Sequence, residues 1–151
     1  VSIHLRRGDL TDGTNDIRNN YYGKDGKLSD DSICGNYLNK ALSHFDDDKY
    51  IFLLFTGGSR EGDDNKKDVS WLKDNLKGSN FFYSGIKTTL EDFALIKECD
   101  HNIMSHSSSF GWWAAYLNDN PNKKVIAPKD YSMEPDSWSR EGFYPDNFTL
   151  I

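Results

Sequence analysis

The sequence predicts an α/β fold of the doubly wound class, in which helices cover both faces of one parallel sheet. Two observations carry this expectation. Strand-like and helix-like apolar patterns alternate along the 151 residues. The strand-like runs are short and largely apolar throughout, as strands buried on both faces are.

Val1-Ser2-Ile3-His4-Leu5 alternates with period 2 and reads as the first strand. A polar stretch rich in Asp, Gly and Asn follows, to about Asp31. Ile33, Tyr37, Leu38, Ala41, Leu42 and Phe45 then share one face of a helix, with Asp31 or Ser32 as N-cap. Tyr50 to Phe55 is an unbroken apolar run, a second strand ended by Thr56-Gly57-Gly58. After an acidic, Gly-rich loop from Arg60 to Asp68, the residues Val69, Leu72 and Leu76 predict a short helix. Asn80 to Tyr83 reads as a third strand. Thr89-Leu90-Glu91-Asp92 has the form of a capping box, opening a helix through Phe93, Leu95 and Ile96. Asn102 to Ser105 is a fourth strand. Ser107-Ser108-Ser109 caps a fourth helix with Phe110, Trp112, Trp113, Tyr116 and Leu117, and the tryptophans read as helix core. Lys124 to Ala127 is a fifth strand, stopped by Pro128, and the tail from Asp130 reads as irregular. Five strands alternating with four helices give right-handed crossovers and a Rossmann-like sheet.

Eighteen Lys and Arg against 24 Asp and Glu leave a net charge of −6, the wrong sign for sequence-independent nucleic-acid binding. No apolar run reaches the ~18–20 residues of a membrane-spanning helix. Cys34 and Cys99 are too few for a disulfide framework or a Cys-type zinc site, and both read as core thiols. His4, His44, His101 and His106 show no paired ligand spacing, so no metal site is expected. The chain opens at Val1, without Met and already inside a strand, and reads as a piece of something longer.

Ligands of doubly wound sheets sit at the carboxyl ends of the strands. Arg6 and Arg7 leave the first strand there. A guanidinium presents a planar fork that matches a phosphate; the competing reading is an arginine pair tied to Asp9 or another loop carboxylate. Ser107-Ser108-Ser109 lies between a strand and a helix, where backbone N–H groups and short hydroxyls make an anion site, or simply an N-cap. Together the two clusters predict a diphosphate clamp. Neither a Walker loop nor a G-x-G-x-x-G after the first strand is present. Asp46-Asp47-Asp48 contains D-x-D but lies at a strand's amino end, so it reads as a solvated acidic turn.

Four motifs, in order, carry a family resemblance: His4-Leu5-Arg6-Arg7-Gly8-Asp9, the stretch Asp92 to Ile103, the stretch Ser107 to Asn118, and Val125-Ile126-Ala127-Pro128-Lys129. The first resembles the H-x-R-R-G-D motif of α-1,2-fucosyltransferases, glycosyltransferase family 11, and the others resemble that family's later motifs. The resemblance implies that residues 1–151 are a GDP-fucose-binding domain, the donor-binding half of a two-domain GT-B enzyme without its acceptor-binding half. It implies inverting transfer of L-fucose from GDP-β-L-fucose to the 2-hydroxyl of a galactose-terminated glycan, with no cofactor and no metal. Carried over residue by residue, Arg6 binds the β-phosphate with Arg7 in support. His4 and Asp92 contact guanosine, and Ser108 and Ser109 hold the diphosphate. Arg6 is then catalytic through the leaving group, and Asp9 is the candidate general base or an orienting group for Arg6.

The chain departs from the family pattern in three places. Phe55-Thr56-Gly57-Gly58 stands where the family has F-S-D-D, Ser107 stands for Asn, and Gly111 stands for Ser. Two other readings stand beside transfer: a GDP-binding remnant without activity, and a related GDP-sugar transferase of different linkage. Compartment is left open, whether cytoplasmic or membrane-peripheral in a bacterial or viral protein, or Golgi-luminal on an anchor outside these residues in a eukaryotic one.

Overall fold

The computed structural model describes residues 1–7, 21–23, 27–46, 48–57, 63–85, 88–131 and 142–151, and for 63–65 the backbone alone. Among the described residues six strands form one parallel sheet: β1 (Ser2–Arg6), β2 (Phe52–Gly57), β3 (Phe81–Tyr83), β4 (Asn102–Ile103), β5 (Val125–Ala127) and β6 (Phe148–Leu150). Their order is β3-β2-β1-β4-β5-β6, the Rossmann-like order, which reverses between β1 and β4. The helices among the described residues are α1 (Ile33–Leu42), α2 (Asp63–Asn75), α3 (Thr89–Glu98) and α4 (Ser109–Tyr116).

Strand alternation divides the core into two faces. Ile3, Leu5, Leu54 and Ile126 turn one way, against Leu38 and Ala41 of α1 and Leu72 of α2. Phe55 turns the other way, against Ile96 of α3 and Ala114 of α4. Met104, Val125, Ala127 and Phe148 meet Ala115 of α4, with Trp112 against them. Helices on both faces make the sheet doubly wound. At its amino end, Asn118 beyond α4 donates to the Cys99 carbonyl (2.6 Å) and to Asn102 Oδ1 (2.9 Å), and Asn102 donates to Ser2 Oγ (2.8 Å). These buried amides tie β1, β4 and the helix ends together with their polar groups satisfied.

Four expectations are corrected. The tail is not irregular throughout: Phe148–Leu150 pairs with Val125–Ala127 as β6, and its run of strand-forming residues was too short to stand out. The second helix starts at Asp63, not near Val69, because its first turns are polar and carry no apolar period. The α3 cap is Thr88, whose Oγ1 accepts from Glu91 N (3.2 Å), one residue before the expected box. Trp112 packs inward, but Trp113 is 51 % exposed, since adjacent residues on a helix point about 100° apart. Cys34 and Cys99 are buried free thiols, as expected.

Candidate functional site

Period two also sorts the residues leaving β1. His4 and Arg6 project toward α4, whereas Arg7 projects with Ile3 and Leu5 toward α1 and α2. Arg6 sits where β1 and β4 end side by side. Its N–H donates to Ser105 Oγ (3.2 Å), its guanidinium donates to the Ser107 carbonyl, and its own carbonyl accepts from the Tyr22 hydroxyl. Ser107 has a left-handed backbone, with φ 52°, and its N–H donates to the Tyr131 carbonyl (2.7 Å). This kink aims the Ser107 carbonyl at Arg6. The left-handed region costs a non-glycine residue ~1–2 kcal/mol, less for Asn. Ser107→Asn is therefore expected to raise stability by roughly 0.5 kcal/mol, read as a small rise in melting temperature, and Ser107→Val to lower it. Equal melting of both variants would contradict the assigned conformation.

The three serines take different places. Ser108 is buried and is the N-cap of α4, its Oγ accepting from Gly111 N (3.1 Å). Ser109 is the first helical residue and is exposed. His4 Nδ1 lies 3.4 Å from Ser108 Oγ, and its ring sits 5.3 Å from that of Phe110. A Cβ on Gly111 would come 3.1 Å from His4 Nδ1, so glycine lets the first turn of α4 approach the imidazole. Burial, and then the Arg6 charge, push the His4 pKa down to about 4. His4 is thus a neutral hydrogen-bonding group at pH 7.

Asp92 lies in the first turn of α3 and accepts from Ser84 Oγ (3.3 Å), just beyond β3. Burial, with Glu91 adding and the Ser84 bond opposing, raises its pKa to about 6. Arg7 does not share the Arg6 face. It is 8 % exposed, with Nε donating to Asp68 Oδ1 at 3.1 Å. Its Cζ lies 3.8 Å from the centre of the Trp71 ring and 4.9 Å from that of Tyr22. Burial lowers its pKa, against the pull of Asp68. Asp9 lies outside the described residues.

Residues 1–149 match the profile of Glycosyl transferase family 11. The chain belongs to this family. Among its relatives is the O-antigen biosynthesis glycosyltransferase WbnK of Escherichia coli, 24 % identical over 91 % of this chain and 43 % of WbnK. Galactoside alpha-(1,2)-fucosyltransferase 2 of Rattus norvegicus is 29 % identical over 97 % of the chain and 36 % of its own length. Galactoside alpha-(1,2)-fucosyltransferase 1 of the same species is 32 % identical over 78 % and 27 %. The chain therefore spans less than half the length of these relatives. No solved structure matches it significantly.

In family 11 terms, the structure brings His4, Arg6, Ser108 and Ser109 to one edge, the carboxyl ends of β1 and β4. Asp92 stands at the carboxyl end of β3, two strands away in the sheet order. The residues that reading the sequence missed are Asp68, Trp71 and Tyr22. Asp68 was placed in an acidic loop, and only its burial marks it. Asp46 pairs with Lys49 (2.7 Å) on the turn before β2, consistent with a solvated acidic turn. Among the described residues no three of His, Cys, Asp and Glu cluster as a metal site would.

Proposed function

We propose that this family 11 chain binds GDP-β-L-fucose at the carboxyl ends of β1 and β4, as the donor-binding half of a GT-B fucosyltransferase. The transfer goes with inversion to the 2-hydroxyl of a galactose-terminated glycan. The observation that carries the reading is the Arg6 guanidinium held by the Ser107 carbonyl beside the first turn of α4. The positive end of a helix and a guanidinium meet there, in a chain of net charge −6.

Glycosyl transfer passes through an oxocarbenium-like transition state, as glycoside hydrolysis does. Negative charge grows on the departing diphosphate. A preorganised guanidinium and helix N–H groups stabilise that charge as it forms, and we assign them this role without a metal. Neutral His4 hydrogen-bonds the nucleoside and Ser109 the diphosphate. Ser108 acts through the helix turn it caps. Inversion takes one in-line attack by the acceptor hydroxyl, whose proton goes to a general base; Asp9 is the candidate. The test is transfer of labelled fucose to a galactoside by the longer protein in EDTA, followed by linkage analysis. Transfer that stops with EDTA, or a linkage other than α-1,2, would refute the corresponding part.

Asp92 gives the site a pH dependence. Only its carboxylate form accepts at both oxygens from the two N–H groups of the guanine edge; the neutral acid accepts through its carbonyl alone. With a pKa of about 6, its ionised fraction falls about tenfold between pH 7 and pH 5, and the apparent GDP affinity falls with it. Asp92→Asn is expected to bind weakly at both pH values, with that dependence gone. The stability effect has the opposite sign. A carboxyl whose pKa is raised on folding contributes stability that is lost as pH rises through the folded value. Asp92→Asn should therefore melt higher than the parent at pH 7. Calorimetric titration at the two pH values, with melts, checks both; a parent affinity flat from pH 5 to pH 7 would remove Asp92 from the site.

A further inference from the structure

Helix α2 is strongly polar, yet Asp68 within it is 3 % exposed and pairs with Arg7, itself 8 % exposed. A buried ion pair is a poor source of stability, because desolvation offsets the attraction, and apolar residues of similar volume often do as well. What such a pair supplies is a defined position. Here the position is tightly specified: the Arg7 guanidinium lies over Trp71, beside Tyr22, with Asp68 on its Nε. Tyr22 also packs edge-on against Trp71, at 5.5 Å between ring centres. Its hydroxyl donates to the Arg6 carbonyl. The peptide joining Arg6 to Arg7 is thus held at its carbonyl by Tyr22 and, through the Arg7 side chain, by Asp68.

We infer that Asp68 is a positioning residue of the donor site, acting through Arg7 on the presentation of Arg6. The inference rests on the donor-site reading given above. Asp68 belongs to the face of the sheet opposite α4, so it acts on Arg6 through Arg7 and the backbone and not by touching the diphosphate. A guanidinium that meets a diphosphate must be placed to within a fraction of an ångström. The anchored neighbour provides that placing. This accounts for two adjacent arginines with different tasks: Arg6 faces the ligand, and Arg7 is the fixed point behind it.

The test compares four proteins by GDP titration and thermal melting: the parent, Asp68→Asn, Asp68→Glu, and the double variant Arg7→Met/Asp68→Leu. Asp68→Asn keeps the shape and loses the charge. The double variant replaces the Arg7–Asp68 ion pair by apolar groups, so that neither of these two charges is left buried without the other. The expected result is that the double variant melts near the parent and Asp68→Asn melts lower, since it leaves the Arg7 charge buried without its partner, while both bind GDP roughly tenfold more weakly, the scale seen when supporting groups of a preorganised site are removed. Asp68→Glu should recover part of the affinity. Two outcomes overturn the inference: a folded double variant that binds GDP within about twofold of the parent, or failure of both Asp68→Asn and the double variant to fold, which would make the pair a structural element only. Failure of the parent itself to bind GDP would instead overturn the donor-site reading, and the inference with it.

Discussion

Arg6→Ala is expected to weaken GDP binding by two orders of magnitude or more and to abolish fucose transfer. A charge-assisted hydrogen bond contributes roughly 1.5–3 kcal/mol, and a guanidinium fork makes two of them to a phosphate. The sum of ~3–6 kcal/mol corresponds to a factor of ~100 to 10,000 at 1.4 kcal/mol per decade. The fold should be indifferent. The backbone bonds of residue 6, to Ser105 and from Tyr22, survive the substitution. The melting temperature should therefore stay near the parent value while affinity collapses. Arg6→Lys keeps the charge without the fork and should recover only part of the loss. Near-parental affinity in Arg6→Ala would remove the diphosphate from this strand end.

The largest stability effect is expected at Gly35, in α1. Helix propensity alone would make Gly35→Ala favourable by about 1 kcal/mol. The structure reverses the sign. A Cβ there would lie 2.0 Å from the Ser29 carbonyl oxygen and 2.8 Å from its carbon. That carbonyl accepts from the Ser32 N–H (3.0 Å) and from Ser32 Oγ (2.7 Å), and Ser32 in turn caps α1 through Gly35 N (3.0 Å). Neither partner is the free end of a flexible side chain, so α1 must shift or the cap must break. Destabilisation of ~3 kcal/mol or more is expected, at the upper end of overpacking effects. In a domain of this size that lowers the melting temperature by roughly 6–12 °C. A melt at or above the parent value would show that the close approach of Ser29 to α1 is wrong.

Much of the architecture was legible because hydrophobic period carries it. β1, β2 and α1 each bury an apolar set whose spacing is written in the chain. The elements that escaped are those where the signal is polar or short. α2 begins in a run of charged residues with no apolar period, and β6 is three residues long behind a stretch of turns. In the site, the arginines and serines stood out because charge and hydroxyls after a strand are conspicuous. Their division of labour did not. That Arg7 faces away from Arg6 follows from strand alternation, but its anchor lies 61 residues on in the sequence. Asp68 looks like any other acid of an acidic segment until the fold buries it. The cap of α3 was off by one residue because Thr88 and Thr89 are both competent caps, and only the backbone angles choose between them.

The most direct measurement is calorimetric titration of the protein with GDP, with GDP-fucose and with ADP, each in EDTA. Both guanine nucleotides are expected to bind, and ADP is not. Binding of ADP as tight as that of GDP, or no binding of either guanine nucleotide to the folded protein, would contradict the assignment of this strand edge as a guanine-nucleotide donor site.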